Sequence, residues 1–294
     1  MATEPRLPSD KVARDLERLY LGAQRAIMAQ VQAALRSGNL ARAAERRMQL
    51  AAVLATLDQL GAATDPLARR LVEQAYTDGS DYAARGIAGQ IGAHVSDVQI
   101  PASFTGVQAD AVRTLAESIT GRLDTARRTV GRQVADTYAR AGRRATMRAL
   151  LGAEGSPRAA TADMVRDLRS RGVTGFVDRA GKRWALDSYA EMAVRTVTRE
   201  AVVQGSMARM ASHGIDLARV SAHASSCSIC LPYEGRLVSL SGQTSEYQGE
   251  AVADASMVPP YHPRCKHSLS PVVVDVEALR QSMGVQVTRG VVRA

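Results

Sequence analysis

The chain has 294 residues, of which 46% are apolar and only 4% aromatic, and a formal net charge of +9. This length predicts two or three domains, and abundant alanine with scarce aromatic residues favours closely packed helices over a thick sheet core. No apolar run reaches the roughly 18 residues of a membrane-spanning helix, and the N-terminal residues lack the basic-then-apolar order of a secretion signal. The three clustered cysteines favour folding in a reducing compartment, so we expect an intracellular protein without a membrane segment.

The positive charge comes almost entirely from arginine, since lysine occurs only at Lys11, Lys182 and Lys266. A positive excess favours an anionic partner such as nucleic acid or an acidic protein surface. A basic protein that is merely soluble would have the same composition. Charge alone therefore leaves the partner open.

Residues 1–100 have the pattern of a helical hairpin or bundle. Apolar residues recur at three- and four-residue steps from Val12 to Leu35 and from Leu40 to Leu60, with Ser37-Gly38-Asn39 as a break between them. Thr64-Asp65-Pro66 predicts the start of a third helix, because proline is favoured at the first helical position. We expect this third helix to run to about Ala93.

Residues 101–172 are expected to form a long arginine-rich helix and a connector, with the long helix from Val107 to Leu151 and a short one from Ala159 to Arg171. Arginines crowd the second half of the long helix and could contact a phosphate backbone. The candidate nucleic-acid contacts are Arg127, Arg128, Arg132, Arg143 and Arg144. A solvated face or a docking site for an acidic protein would have the same pattern. The lack of interleaved aromatic residues argues against base stacking.

Residues 173–276 predict a compact α+β domain, and 277–294 a tail with little core of its own. A β-hairpin is expected over 173–186, followed by a helix to about Ser212. Further strands are expected at Arg236–Leu240 and Val272–Val276. The predicted fold class is therefore α+β, with a mostly helical N-terminal half.

All three cysteines and three of the five histidines lie between residues 223 and 267. Cys227 and Cys230 have the two-residue gap that lets one turn direct two thiolates at a single ion, and His262, Cys265 and His267 form a second group. Thiolate and imidazole ligands on two turns are typical of a tetrahedral structural zinc site. A redox-active cysteine pair or three buried thiols are the alternatives.

The choice of four ligands among the five candidates stays open at this point. Cys227, Cys230 and Cys265 rank first, followed by His267 or His262, and His223 lies outside the set. The usual motifs of catalytic zinc sites and of phosphate-binding loops are absent from the sequence. We therefore predict a structural metal, no catalytic residues and no enzymatic activity.

Several motifs lie in a specific order within residues 173–274. They are Arg195-Thr-x-x-Arg199-Glu200 on the predicted helix, Gly214-Ile-Asp, His223, Cys230, Tyr233-x-Gly235 and Cys265-x-His267-Ser-x-Ser-Pro271. This order resembles the minor capsid (minor head) proteins of tailed bacteriophages. The Cys-x-x-Cys and His-Pro-x-Cys elements are also similar to the related Mu F-like head morphogenesis proteins.

The resemblance implies a structural component of the phage head that is associated with the portal region during assembly. It implies the portal protein and the major capsid protein as partners, an oligomeric state within the virion, and the host cytoplasm as the place of assembly. Packaged DNA is a further candidate partner. Two other functions stay open: a zinc-containing, nuclease-like enzyme that processes DNA, and an internal DNA-binding or ejected virion protein.

Overall fold

The computed structural model describes residues 8–37, 39–99, 105–150, 175–178, 181–223 and 227–285. These residues contain the helices α1 (Pro8–Arg36), α2 (Ala43–Ile91), α3 (Thr105–Leu150), α4 (Leu186–Ser212) and α5 (Val276–Ser282). Their strands are β1 (Gly175–Val177), β2 (Arg183–Ala185), β3 (Leu217–Val220), β4 (Leu237–Ser239), β5 (Glu246–Tyr247), β6 (Glu250–Ala253) and β7 (Leu269–Val272). The predicted α+β fold class is confirmed. None of the described helices is long and apolar enough to cross a membrane.

The chain divides into two compact units, each built from segments that are distant in sequence. A helical unit combines residues 12–68 and 118–194, and a sheet unit combines 1–11, 69–117 and 195–294. The predicted domain boundaries at 100, 172 and 276 do not coincide with these units. The short helix expected at 159–171 lies outside the described residues.

The helical unit is held together by apolar side chains on α1, α2 and α3. Those that are fully buried include Leu16, Tyr20, Ile27, Val31, Val53, Ile119, Leu123, Val130 and Val134. A Cβ at Gly131 of α3 would lie 2.9 Å from a Leu54 methyl group, so α3 packs closely on α2 at this level. β1 and β2 form the expected hairpin, with Phe176 opposite Trp184.

The second and third predicted helices are in fact one helix, α2, which continues through Pro66. Proline removes one backbone hydrogen bond, to the carbonyl of Ala62, but Ala62 is exposed and water can replace the lost donor. The adjoining turn is held by tertiary contacts. Thr64 Oγ1 donates to Leu60 O at 2.7 Å, and the Arg127 guanidinium donates to Asp65. These contacts outweigh the local signal for a helix start.

The sheet unit has five strands in the order β5-β6-β4-β3-β7. β3 pairs antiparallel with both β4 and β7, while β4 and β6 are parallel. The core combines buried residues of α2 and α4 with the strands, among them Ala83, Ile87, Ile91, Val203, Met210, Ala218, Val238 and Leu269. The two helices therefore supply the apolar layer that covers the sheet.

Two glycines allow α2 and α4 to cross with their backbones in contact. A Cβ at Gly79 would lie 1.9 Å from Val202 O, and a Cβ at Gly205 would lie 1.9 Å from Tyr76 O. Ser206 Oγ donates to Gly79 O at 2.8 Å across the same crossing. A glycine inside a helix lowers its local stability, but Gly79 permits this contact.

The C-terminal part differs from the prediction in two respects. The last strand is β7, which ends at Val272, where a strand was expected to begin. The Gln90 side chain on α2 donates to Pro271 O and accepts from Val273 N, so a tertiary contact defines this strand edge. Residues 276–282 then form α5, and its Leu279 is buried in the core. The expected tail therefore begins with a packed helix.

We expect Gly205→Ala and Gly79→Ala to destabilise the protein by about 2–3 kcal/mol, because the new methyl group forces the helix backbones apart. Gly89→Ala is the matched control, since this glycine lies on the exposed side of α2 with nothing within 4 Å of its Cβ position. That control should be neutral or gain up to about 1 kcal/mol of helix propensity. Urea unfolding followed by circular dichroism measures all three. Equal stability of the three variants would contradict the close crossing.

Candidate metal centre

Two tight turns of the sheet unit present the candidate ligands. In the first, the Cys230 and Leu231 N–H groups both donate to Cys227 O, at 3.1 and 3.0 Å. In the second, Cys265 N donates to His262 O at 3.1 Å, and Arg264 has a positive φ of 65°. Arg264 N also donates to Thr196 Oγ1 on α4, at 3.3 Å. Helix α4 thus supports the unusual backbone conformation of the second turn.

The turns bring five ligand atoms together as two groups of three that share Cys230. One group is Cys227, Cys230 and His262, and the other is Cys230, Cys265 and His267. Within each group the ligand atoms lie within 4.8 Å of one another. The five predicted residues therefore form a possible metal-binding site.

Two distances in the second group equal the edges expected for a tetrahedral zinc site. Zinc–ligand distances of about 2.3 Å for sulfur and 2.0 Å for nitrogen imply edges of about 3.8 Å between two sulfurs and about 3.5 Å between sulfur and nitrogen. The Cys230 and Cys265 sulfurs are 3.8 Å apart, and Cys265 Sγ is 3.5 Å from His267 Nδ1. His262 Nε2 lies 3.1 Å from Cys230 Sγ and 3.3 Å from Cys227 Sγ, slightly closer than that edge.

Both imidazoles have the ring nitrogen that faces away from the sulfurs engaged by an acceptor. His267 Nε2 is 2.8 Å from Glu234 Oε1, and His262 Nδ1 is 2.7 Å from Pro263 O. A histidine that donates through one nitrogen keeps the lone pair of the other for a metal, and a carboxylate partner is frequent at such sites. Glu234 Oε1 also accepts from His223 N at 2.9 Å. These acceptors therefore stabilise the tautomers in which His267 Nδ1 and His262 Nε2 keep a lone pair for a metal.

The centre is buried on one side and exposed on the other. Cys230, Cys265 and His267 are buried, while Cys227 is exposed. The His223 ring packs edge-on against His267 with centroids 4.7 Å apart, and Tyr261 stacks on Tyr233 at 4.2 Å. These rings restrict the approach of water to the Cys265 and His267 side.

Burial, together with the Cys227 and Cys265 sulfurs, raises the pKa of the Cys230 thiol to about 12. The exposed Cys227 thiol has a lowered pKa, because the Cys230 backbone N–H donates to its sulfur. A divalent cation would instead favour the thiolate form of Cys230, since a coordinating thiol loses its proton. The chemistry of the donor set therefore fits a soft or borderline cation such as zinc.

Glu234 is the site residue that sequence reasoning missed. Its partner His267 is 33 residues away in sequence, so no local spacing could indicate the contact. His223 was placed outside the ligand set, and in the structure it contacts His267 and Glu234 and stays outside both ligand groups.

The five arginines predicted to contact nucleic acid differ in their surroundings. Arg128, Arg132, Arg143 and Arg144 are exposed on α3, and their contact with nucleic acid stays a prediction. Arg127 departs from that prediction because it is 6% exposed and its guanidinium donates to Tyr20 and Asp65 at 3.0 Å each. It also fills the space left by Gly61. Helical periodicity alone could not separate this buried arginine from its exposed neighbour.

The fold and site together define a mostly helical α+β protein whose sheet unit carries a possible metal centre. The family model of phage minor capsid protein 2 matches residues 9–286. The match covers nearly the whole chain and both units, and the chain belongs to this family of phage minor capsid proteins. Comparisons with curated proteins and with solved structures give no match.

We expect Arg127→Gln to destabilise the protein by about 2–3 kcal/mol, because it leaves Asp65 and the Tyr20 hydroxyl without their buried partner. Arg128→Gln is a matched control one residue away. Its ion pair with Asp124, at 2.8 Å, is exposed, and its loss should cost less than about 0.5 kcal/mol. Thermal and urea unfolding compare the two variants. Similar losses would show that Arg127 is no more structural than Arg128.

Proposed function

We propose that this protein is a structural component of the phage head, associated with the portal region and active in head assembly. The observation that carries the proposal is the family match over residues 9–286, which includes the helical and the sheet unit alike. A minor capsid protein acts through its contacts with other virion proteins. The portal protein and the major capsid protein are the partners we propose, with the chain oligomeric in the virion.

The helical unit is the part of the chain suited to extended protein contacts. Its surface consists of long helices whose exposed positions are mainly charged or small, with a few exposed apolar side chains such as Met48 and Leu54. Surfaces with scattered apolar and arginine side chains are common in protein interfaces. We assign the contacts with portal and capsid to this unit.

The head assignment predicts that the protein co-assembles with the portal and major capsid proteins of the phage that encodes it. A tagged chain co-expressed with both should be recovered in assembled heads, and mass spectrometry of purified virions should detect it in fewer copies than the major capsid protein. Cross-linking should join the helical unit to the portal protein. A chain that is absent from purified heads and virions would contradict the assignment. DNA cleavage that disappears in His262→Ala would instead favour the nuclease-like alternative.

We further propose that the centre binds one structural zinc ion. Cys230, Cys265 and His267 form the buried side of the site, and Cys227 or His262 supplies the fourth ligand. The segment from Cys230 to His262 has only short strands and few buried residues. Packing offers little free energy to offset the entropy of closing this segment. Zinc binding can contribute on the order of 10 kcal/mol to folding in such sites.

The zinc proposal predicts about one zinc per chain in the wild-type protein and nearly none in Cys230→Ser or Cys265→Ser, measured by elemental analysis. Chelation should make the segment between Cys230 and His262 sensitive to protease while α1 and the first half of α2 stay protected. Glu234→Gln should weaken zinc binding about 10-fold or more, because it loosens the His267 ring.

His94→Asn is the control for these variants, since His94 is exposed and belongs to neither ligand group. It should keep full zinc content. Single Cys227→Ser and His262→Ala variants identify the fourth ligand by which of them loses zinc. A wild-type protein that carries no zinc and is cut identically with and without chelator would contradict the proposal, and the head assignment would remain.

A further inference from the structure

One end of the helical unit gathers exposed arginines from segments that are distant in sequence. Arg36 ends α1, Arg42 and Arg47 lie at the start of α2, and three more lie on α3, at positions 140, 143 and 144. We call these six residues the basic tip. The basic tip carries six positive charges, compared with a net charge of +9 for the whole chain.

A direct contact between α3 and the α1–α2 connection brings the six arginines to the same end. A Cβ at Gly142 would lie 2.8 Å from Leu40 O and 2.6 Å from an Arg46 nitrogen. Arg46 itself donates to Leu40 O at 2.7 Å. The arginines on α3 lie within two residues of Gly142, Arg36 and Arg42 lie within four residues of Leu40, and Arg47 follows Arg46. Four residues span at most about 15 Å of chain, so the six charges lie at the same end of the unit.

The charges of the basic tip are poorly neutralised within the unit. Over residues 33–50 and 136–147, the acidic residues are Glu45 and Asp136. Glu45 accepts from Gln49, and in the described part of the chain the six arginines form no ion pair. By contrast, Arg113, Arg127 and Arg128 on the same helix α3 are each paired with carboxylates. An uncompensated cluster of this kind concentrates positive potential at one end of the unit.

The chemistry of the tip favours a phosphate backbone over base recognition. Guanidinium groups bind phosphate oxygens with two parallel hydrogen bonds. The one aromatic residue in these two stretches, Tyr138, is 1% exposed and cannot stack on a base. Between the arginines lie small exposed residues such as Ala43 and Ala44, which let a polyanion approach closely. An acidic protein partner would also use the exposed Met48 and Met147, which are close to these arginines in the sequence, whereas a phosphate backbone needs the guanidinium groups alone.

We infer that the basic tip is a binding site for the phosphate backbone of duplex DNA, without sequence preference. The site is formed by Arg36, Arg42 and Arg47 together with the three arginines around Gly142. It extends the predicted contacts at Arg143 and Arg144 to side chains of α1 and α2 and leaves out the buried Arg127. This inference does not depend on the head assignment, since it rests on charge and geometry in the helical unit.

The test measures binding of the full chain to two fluorescent duplexes of unrelated sequence over a range of salt concentrations. Six phosphate contacts would give a slope of log affinity against log salt of about −5. The triple variant Arg36→Gln, Arg42→Gln, Arg47→Gln should reduce this slope by about 3 and weaken binding at least 100-fold at moderate salt. The corresponding variant at positions 140, 143 and 144 should behave alike. Both duplexes should bind equally well.

The matched control is Arg69→Gln, Arg70→Gln, Arg85→Gln, which removes three exposed arginines from α2 in the sheet unit. It lowers the net charge equally and should change the slope by less than 1. Circular dichroism confirms that each variant is folded. If the control variant weakened DNA binding equally, the effect would come from the net charge alone, and the assigned site would be wrong. Binding to a polyglutamate peptide but not to DNA would overturn it in favour of an acidic protein partner.

Discussion

The close crossing of α2 and α4 is the contact on which the sheet unit depends. Gly79 and Gly205 let the two helix backbones touch, and this brings the buried faces of both helices onto the sheet. Helix α4 then leads through a short turn into the interior strand β3, while Gln90 of α2 holds the edge of β7. Since β7 begins two residues after His267, the same packing that orders the sheet also positions the second ligand turn.

The metal centre depends on this scaffold at two further points. Thr196 of α4 accepts the Arg264 N–H and supports the left-handed residue between His262 and Cys265. Glu234, in the first turn region, orients His267 in the second. The two turns are thus linked by a carboxylate–imidazole contact as well as by the sulfurs. A cation bound there would join segments whose own packing is sparse, which is the physical basis for a structural metal in a small domain.

The site was largely predictable because its ligands come in short, locally spaced groups. A Cys-x-x-Cys turn and the His262–His267 stretch each direct their side chains within a few residues, so composition and spacing suffice to indicate them. Glu234 and Arg127 were not predictable in the same way. Their roles arise from contacts across 33 and 62 residues of sequence, and an acid or an arginine on an amphipathic helix has the same local pattern whether it is buried or exposed.

By itself, the sequence determined the helix-rich composition, the break between α1 and α2, the β1–β2 hairpin and the set of five metal-ligand candidates, since all of these depend on local spacing and turn chemistry. Only the tertiary structure decided that α2 continues through Pro66, because contacts of Thr64 and Asp65 outweigh one lost hydrogen bond. It likewise decided that Gly79 serves a helix crossing and that Leu279 belongs to the core. In each case the deciding free energy comes from a partner far away in the chain, which no local pattern can contain.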